Sequence, residues 1–290
     1  MTRARSGLLA IESPFPEANC MLRLLEPPDS CHETLCDRLF EGSYNKPFII
    51  DNGRQRYLHF DLDCVQSAMS LKAPNRLCLA YTRKMMTFLL FNRAPKRLLL
   101  LGLGGGSLAK FCYGVLPRAT ITAIEPNPDV IALRDEFRIP ADDGRFRVIQ
   151  ADGAAYVAQL PSCKDVILAD ACDRTGIAPE LSDVEFYQNA RRCLSPGGVF
   201  VVNVCGEPHS RIAHILKIRN AFDDEFLTLQ VRPNGNIIVL AFKEPREQGR
   251  RAPLERAVDD LKCRFRLDFP KYLRLIELDA KRRRWQQITA

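Results

Sequence analysis

No apolar run in the 290-residue chain approaches the roughly 20 residues that a bilayer-spanning helix needs. The longest candidate, Met85 to Leu103, is broken by Asn92, Arg93, Lys96 and Arg97. A secretory leader also lacks its core, because Glu12 and the prolines at 14 and 16 interrupt the segment after Arg3 and Arg5. A cytoplasmic protein without membrane attachment is expected. No Cys-x-x-Cys pair occurs, although there are 11 cysteines. That number is odd, the residues are scattered, and only Cys31 and Cys36 are close. His209 and His214 are five apart and fall on different faces of a helix. No metal site is expected, and the cysteines are expected to be reduced and mostly buried.

A net excess of charge is missing from most of the chain. The net charge is +7, and residues 246–290 hold thirteen Lys/Arg against seven Asp/Glu, which accounts for +6 of it. The remainder, at +1, is near neutral. The basic excess peaks at Lys281-Arg282-Arg283-Arg284. No aromatic residues interleave with it, so it reads as a solvated helical face, and nucleic acid is not an expected partner.

What is present is alternation. Residues 1–46 read as irregular. Phe48-Ile49-Ile50, Tyr57–Phe60 and Cys64–Met69 then read as strands, with Asp51-Asn52-Gly53 as a hairpin turn. A helix is predicted over Leu77–Asn92, closed by Pro95. From there strands and helices alternate: strand Arg97–Leu101, helix Ser107–Val115 with Ser107 as N-cap, strand Ala119–Ile124, helix Pro128–Phe137, strand Phe146–Gln150. Strand Asp165–Ala169, helix Asp183–Leu194 and strand Gly198–Val204 continue the series. That order predicts an α/β fold with a doubly wound parallel sheet. Ligands belong at the carboxyl ends of such strands, where Glu125, Asp152, Asp170 and Asp173 fall. Phe226–Val231 and Asn236–Phe242, joined through Pro233-Asn234-Gly235, add an antiparallel hairpin. Such an ending is usual in class I methyltransferase-like (Rossmann-like) folds. Three parts are expected: a segment with a small antiparallel β domain over 1–76, a nucleoside-binding catalytic domain over 77–245, and a basic helical tail over 246–290.

The glycine loop carries the ligand prediction. Leu98–Leu101 runs into Gly102-Leu103-Gly104-Gly105-Gly106-Ser107 and then a helix. Glycines allow positive φ and let the backbone approach a ligand. Glu125 ends the next strand, where a carboxylate can accept both ribose hydroxyls of an adenosine. A dinucleotide fingerprint would place glycine or alanine at 107, and Ser107 stands there. An S-adenosylmethionine-type sulfonium ligand is the better fit. Asp152-Gly153 offers two alternatives: a carboxylate for the adenine amine, or an N-cap for the helix Ala154–Leu160.

Two segments then resemble one family. Asp143–Val157, D-G-R-F-R-V-I-Q-A-D-G-A-A-Y-V, is similar to the spermidine synthase stretch D-P-R-V-x-V-x-x-x-D-G. Asp170–Leu181, D-A-C-D-R-T-G-I-A-P-E-L, resembles that family's catalytic stretch D-S-S/T-D-P-x-G-P-A-x-x-L-F. Phe186-Tyr187 and Pro196-Gly197-Gly198 follow at the family's spacings. The resemblance runs from about Phe48 to Phe242. It implies aminopropyl transfer from decarboxylated S-adenosylmethionine to a polyamine, with no metal. It makes Asp170 the general base, with Asp173 and Tyr81 on the amine substrate. Gln66, Gly102, Gly104, Gly105, Gly106, Ser107, Glu125, Asp152 and Gly153 fall to the nucleoside donor. It also implies a homodimer.

The chain departs from that pattern at the tail of the donor. The family loop reads G-G-G-D-G, and Ser107 takes the place of the aspartate that binds the aminopropyl amine. Tyr81-Thr82-Arg83 stands for the family's Tyr-His-Glu, and Arg174 replaces a proline. In these features the chain is similar to a divergent spermidine-synthase-like branch with loops reading G-L-G-G-G-x-L. An S-adenosylmethionine-dependent methyltransferase on the same scaffold is the alternative. A non-enzymatic binding protein with a relic pocket is a third reading.

Overall fold

The computed structural model describes residues 8–13, 20–172, 176–232, 235–245 and 251–288, without the side chains of 251–253 and 281–288. Asp173, Arg174, Pro233 and Asn234 lie outside the described residues, as do the side chains of the basic run 281–284.

Two sheets organise the molecule. The first contains β1 (Leu9–Glu12), β2 (Met21–Leu24), β3 (Phe48–Asp51), β4 (Gln55–His59) and β5 (Val65–Ser70), antiparallel and in chain order. The segment expected to be irregular therefore supplies β1, β2 and α1 (His32–Phe40). Its strands are only four residues long, too short for period-two alternation to stand out from the sequence around them. The expected Asn52–Gly53 turn joins β3 to β4. Asn52 Oδ1 accepts from the amides of Arg54 and Gln55.

The helix expected over Leu77–Asn92 is shorter. It consists of α2 (Ala80–Met85) followed by a 3-10 helix, Met86–Leu90. The Arg83 guanidinium donates to the carbonyls of Leu77 and Cys78, which are thereby satisfied without a helical turn.

The second sheet is seven-stranded. It is built from β6 (Arg97–Leu101), β7 (Thr120–Glu125), β8 (Phe146–Gln150), β9 (Lys164–Ala169), β10 (Leu194–Val204), β11 (Phe226–Gln230) and β12 (Ile237–Phe242). Its order is β11-β12-β10-β9-β6-β7-β8, with β12 antiparallel to both neighbours and the other pairs parallel. This is the doubly wound sheet with the expected closing hairpin. Its central strands are apolar throughout because both faces are covered. Leu98 and Leu100 enter one core with Val166, Leu168, Val199 and Val201. Leu99 and Leu101 enter the other with Ile167, Ala169, Phe200 and Val202. Each such leucine contributes roughly 1.5–3 kcal/mol by burial.

The helices of this domain are α3 (Ser107–Val115), α4 (Pro128–Ala132), α5 (Gly153–Gln159), α6 (Val184–Cys193) and α7 (Pro208–Ala221). The helix expected over Pro128–Phe137 ends at Ala132, and the chain runs on in turns, with the Arg134 amide on the Ile131 carbonyl and the Arg138 amide on the Asp135 carbonyl. Arg56 binds the Glu136 carbonyl, and Lys110 the Phe137 carbonyl. The sequence reading did not anticipate α7. The C-terminal segment contains α8 (Arg251–Phe265) and α9 (Phe269–Ile288). Leu261, Phe265, Phe269 and Tyr272 bury against the first core. Among the described residues, no helix is long and apolar enough to cross a membrane.

Candidate active site

Strand β6 pairs with β7 on one side and β9 on the other, so the chain turns in opposite directions from its carboxyl end. This is the point where ligands bind in such sheets. Gly102 leaves β6 with φ +94, and a Cβ on it would lie 2.3 Å from the Asp170 carbonyl. Glycine is therefore required where the tips of β6 and β9 meet.

The other loop glycines serve a different purpose. A Cβ at Gly105 would lie 2.7 Å from Ser67 Oγ and 2.9 Å from Phe137. One at Gly106 would lie 2.4 Å from Ile139. The glycine run lets β5 and the segment after α4 close on the loop. Ser107 is the first residue of α3, and Gly106 is the N-cap, which corrects the expected assignment. The Ser107 hydroxyl is 3.2 Å from Ser67 Oγ and 3.5 Å from the Ala68 carbonyl. It thus ties α3 to β5.

Glu125 is buried at the end of β7. Its Oε2 accepts from the Leu103 amide at 2.9 Å, and its Oε1 from the Asn127 amide at 3.1 Å. Each oxygen retains a lone pair for a further donor. Asp152 is exposed and caps α5 through Oδ1, at 2.7 Å from the Ala155 amide. Of its two alternatives, capping is present in the structure and occupies one oxygen. Gly153 packs against Leu101 and Leu181.

Asp170 follows β9 and is half-buried. Surrounding protein desolvates it and pushes its carboxyl up from 3.8 to about 6. Two donors act the other way by stabilising the anion. Asn203 Nδ2 donates to Oδ1 at 3.0 Å, and the Tyr81 hydroxyl bonds the carboxyl. Asn203, on β10, is held in turn by Asn236 Nδ2, which donates to its Oδ1 at 3.1 Å. Burial and the neighbouring Asp170 charge push the Tyr81 phenol well above its ordinary value, which keeps it a donor. The same hydroxyl is 3.4 Å from the Gln66 carbonyl. Gln66 Nε2 is buried and has no hydrogen-bond partner among the described residues. A buried amide nitrogen of that kind costs free energy unless a ligand meets it.

The structure thus joins Gln66, Tyr81 and Asp170 in one cluster and sets Gly102 and Glu125 around the β6 tip. Asn203 and Asn236 join this cluster, and sequence reading missed both. For Asn203 the signal was an amide inside the apolar strand Val199–Val204, a position where polar side chains are rare without a partner. Another expectation is corrected. Cys172 and Cys205 form a disulfide, and of the nine free cysteines only Cys112 and Cys193 are buried.

A doubly wound sheet with an antiparallel hairpin defines a Rossmann-like α/β fold of the class I methyltransferase-like kind, here with a carboxylate at the second strand and a partly desolvated acid across the switch point. Comparisons with known proteins narrow the class. The profile of the spermine/spermidine synthase domain matches residues 79–232. The polyamine aminopropyltransferase of Chromobacterium violaceum is 37% identical over 226 residues, which cover 78% of this chain and 87% of that protein. A probable spermidine synthase from Corynebacterium glutamicum superposes with a TM-score of 0.62 at 19% identity, covering 73% of this chain and 84% of that one. Human methyltransferase-like protein 13, solved with SAH, superposes with a TM-score of 0.59 at 24% identity, covering 65% and 93%. These two structural likenesses concern the fold. The chain belongs to the spermine/spermidine synthase family.

Proposed function

We propose that the protein transfers an aminopropyl group from decarboxylated S-adenosylmethionine to a polyamine acceptor. The observation that carries this reading is the Asp170 cluster, a carboxyl raised to about 6 and held by Asn203 and Tyr81 at the carboxyl end of β9. The residues present suit the donor. Glu125 has free lone pairs for ribose hydroxyls, Gln66 offers an unpartnered amide, and Gly102 leaves the β6 tip without a side chain. Asp152 keeps one oxygen for an adenine amine.

The acceptor arrives as an ammonium and must lose a proton before it attacks. Its nitrogen lone pair then displaces the sulfur from the terminal carbon of the aminopropyl chain. The new bond is N–C, the broken bond is C–S⁺, and neutral methylthioadenosine leaves. Asp170 accepts the proton. A base whose midpoint lies near the working pH is ionised yet still basic, and such help is worth about 10²–10⁴-fold. Asp173 would hold the acceptor's amines, a role that rests on the family resemblance because it lies outside the described residues.

The test pairs turnover with binding. Purified protein given decarboxylated S-adenosylmethionine and putrescine, or a longer polyamine, should release methylthioadenosine. Calorimetry should show the decarboxylated donor binding more tightly than S-adenosylmethionine itself. No release with any diamine or triamine refutes the reading, and the reverse binding order transfers support to methyl transfer.

A further inference from the structure

The disulfide lies at the hub of the candidate site. Cys172 is two residues past Asp170, and Cys205 is two residues past Asn203. Their Cα atoms are 6.6 Å apart. The bond therefore fastens the segment carrying Asp170 to the strand carrying the amide that orients it. The Asn203 Nδ2 that donates to Asp170 is also 3.7 Å from Cys172 Sγ. Cys172 bridges Ile177, Gly176 bridges Gly206, and the Ala178 amide donates to the Ala171 carbonyl. Cys205 is 8% exposed, while Cys172 is half-buried, so an incoming thiolate can reach the Cys172 sulfur. The remaining described cysteines are free thiols.

We propose that Cys172–Cys205 is a redox-modification site that sets how well the enzyme engages its amine acceptor. A thiolate of a low-molecular-weight dithiol attacks Cys172 Sγ and displaces Cys205 as a thiolate. The second thiol of the reductant resolves the mixed disulfide. The protein gains two electrons and two protons, and the reductant leaves as its own disulfide. A disulfide of a low-molecular-weight thiol drives the reverse exchange. In the oxidised state the covalent tie fastens the segment after Asp170 to the end of β10, beyond the point where Ala169 and Val202 pair between the strands. In the reduced state that covalent tie is gone. A turn in register about one tenth of the time raises the apparent acceptor KM about tenfold. Glu125 and the β6 tip are not attached to the bond, so donor affinity stays within about twofold on the same argument.

The experiment uses the full-length protein, equilibrated with oxidised glutathione or with dithiothreitol. Alkylation and peptide mass mapping should find a linked Cys172–Cys205 peptide in the first sample and two alkylated peptides in the second. Hydrogen exchange at the amides of 176–178 should quicken on reduction. The amine KM, read from methylthioadenosine release, should rise about tenfold while the donor Kd from calorimetry holds, as the population argument requires. The C172S/C205S double variant should show the reduced-state KM under both treatments. If it does not accumulate, Cys172→Ala serves, because losing either half abolishes the bond.

Absence of the linked peptide under oxidant overturns the proposal. So does an unmoved KM between the two states, or a redox effect that survives in the variant. The kinetic arm rests on the proposed aminopropyl transfer. If no amine is turned over in either state, that reading fails, and the linked peptide with the exchange rates still decides whether the bond forms and holds the turn.

Discussion

Replacing Asn203 with leucine should move the pH dependence of catalysis without abolishing catalysis. Leucine has nearly the shape of asparagine but cannot donate to Asp170 Oδ1, which Asn203 Nδ2 contacts at 3.0 Å. Desolvation already raises this carboxyl to about 6, against the pull of its two donors. A hydrogen bond to a charged acceptor is worth about 1.5–3 kcal/mol. Each pH unit corresponds to about 1.36 kcal/mol of difference between protonation states. Losing the Asn203 donor should therefore raise the midpoint by about one to two pH units, to between about 7 and 8. The assay is kcat/KM for methylthioadenosine release from pH 5 to 9. The wild type should lose activity below about 6, and the variant should lose it one to two units sooner yet recover on the alkaline side. Asn236→Ala frees Asn203 Oδ1 without removing the donor and should move the limb by less. An acid limb that stays in place, or a loss that is equal at every pH, refutes the idea that Asn203 acts through Asp170.

Asp170→Asn should slow turnover by about 10²–10⁴-fold and should also stabilise the protein at neutral pH. The sign follows from the raised carboxyl. It ionises near 3.8 when unfolded and about 6 when folded, so wild-type stability falls as pH climbs between those values. Urea unfolding should place the variant ahead by at most about 3 kcal/mol at pH 8 and level at pH 3, and an equal gain at both pH values would contradict this. Gly102→Ala puts a Cβ 2.3 Å from the Asp170 carbonyl at φ +94, and thermal melting should show a loss of at least about 2 kcal/mol. Glu125→Gln should weaken donor binding by about 10–100-fold in calorimetry and leave the amine KM unchanged. Lys110 is buried on α3, and desolvation lowers its ammonium to about 7. Wild-type stability should therefore rise between pH 7 and its ordinary 10.5, and Lys110→Met should lose that slope.

Most of the large sheet was legible because its signals are local. Leu98–Leu101, Val166–Ala169 and Val199–Val202 are apolar runs of strand length, and the residues between them carry helix caps such as Asp183, which accepts from the Phe186 amide at 2.6 Å. The short strands β1 and β2 carry no such signal. Their identity depends on pairing, β1 with β2 and β2 with β3, which lies beyond α1 in the chain. The ties beyond α4 were equally hidden, since Arg56 and Lys110 reach the Glu136 and Phe137 carbonyls from 80 and 27 residues away.

By itself the sequence located the glycine turn and the acids at the strand ends. A glycine turn after an apolar strand and carboxylates at later strand ends are positions along one chain, and their spacing is chemistry that can be read there. The tertiary structure alone decided what those acids do to one another. The rise of Asp170 to about 6 comes from atoms that surround it, and its orientation comes from Asn203, Asn236 and Tyr81 on three other elements. It also divided the glycine run, giving Gly102 to the meeting of the β6 and β9 tips and Gly105 and Gly106 to packing against Ser67, Phe137 and Ile139. The pairing of Cys172 with Cys205 across 33 residues belongs to the same category. Proximity between distant residues is set by how β9 and β10 lie side by side, and no local pattern encodes it.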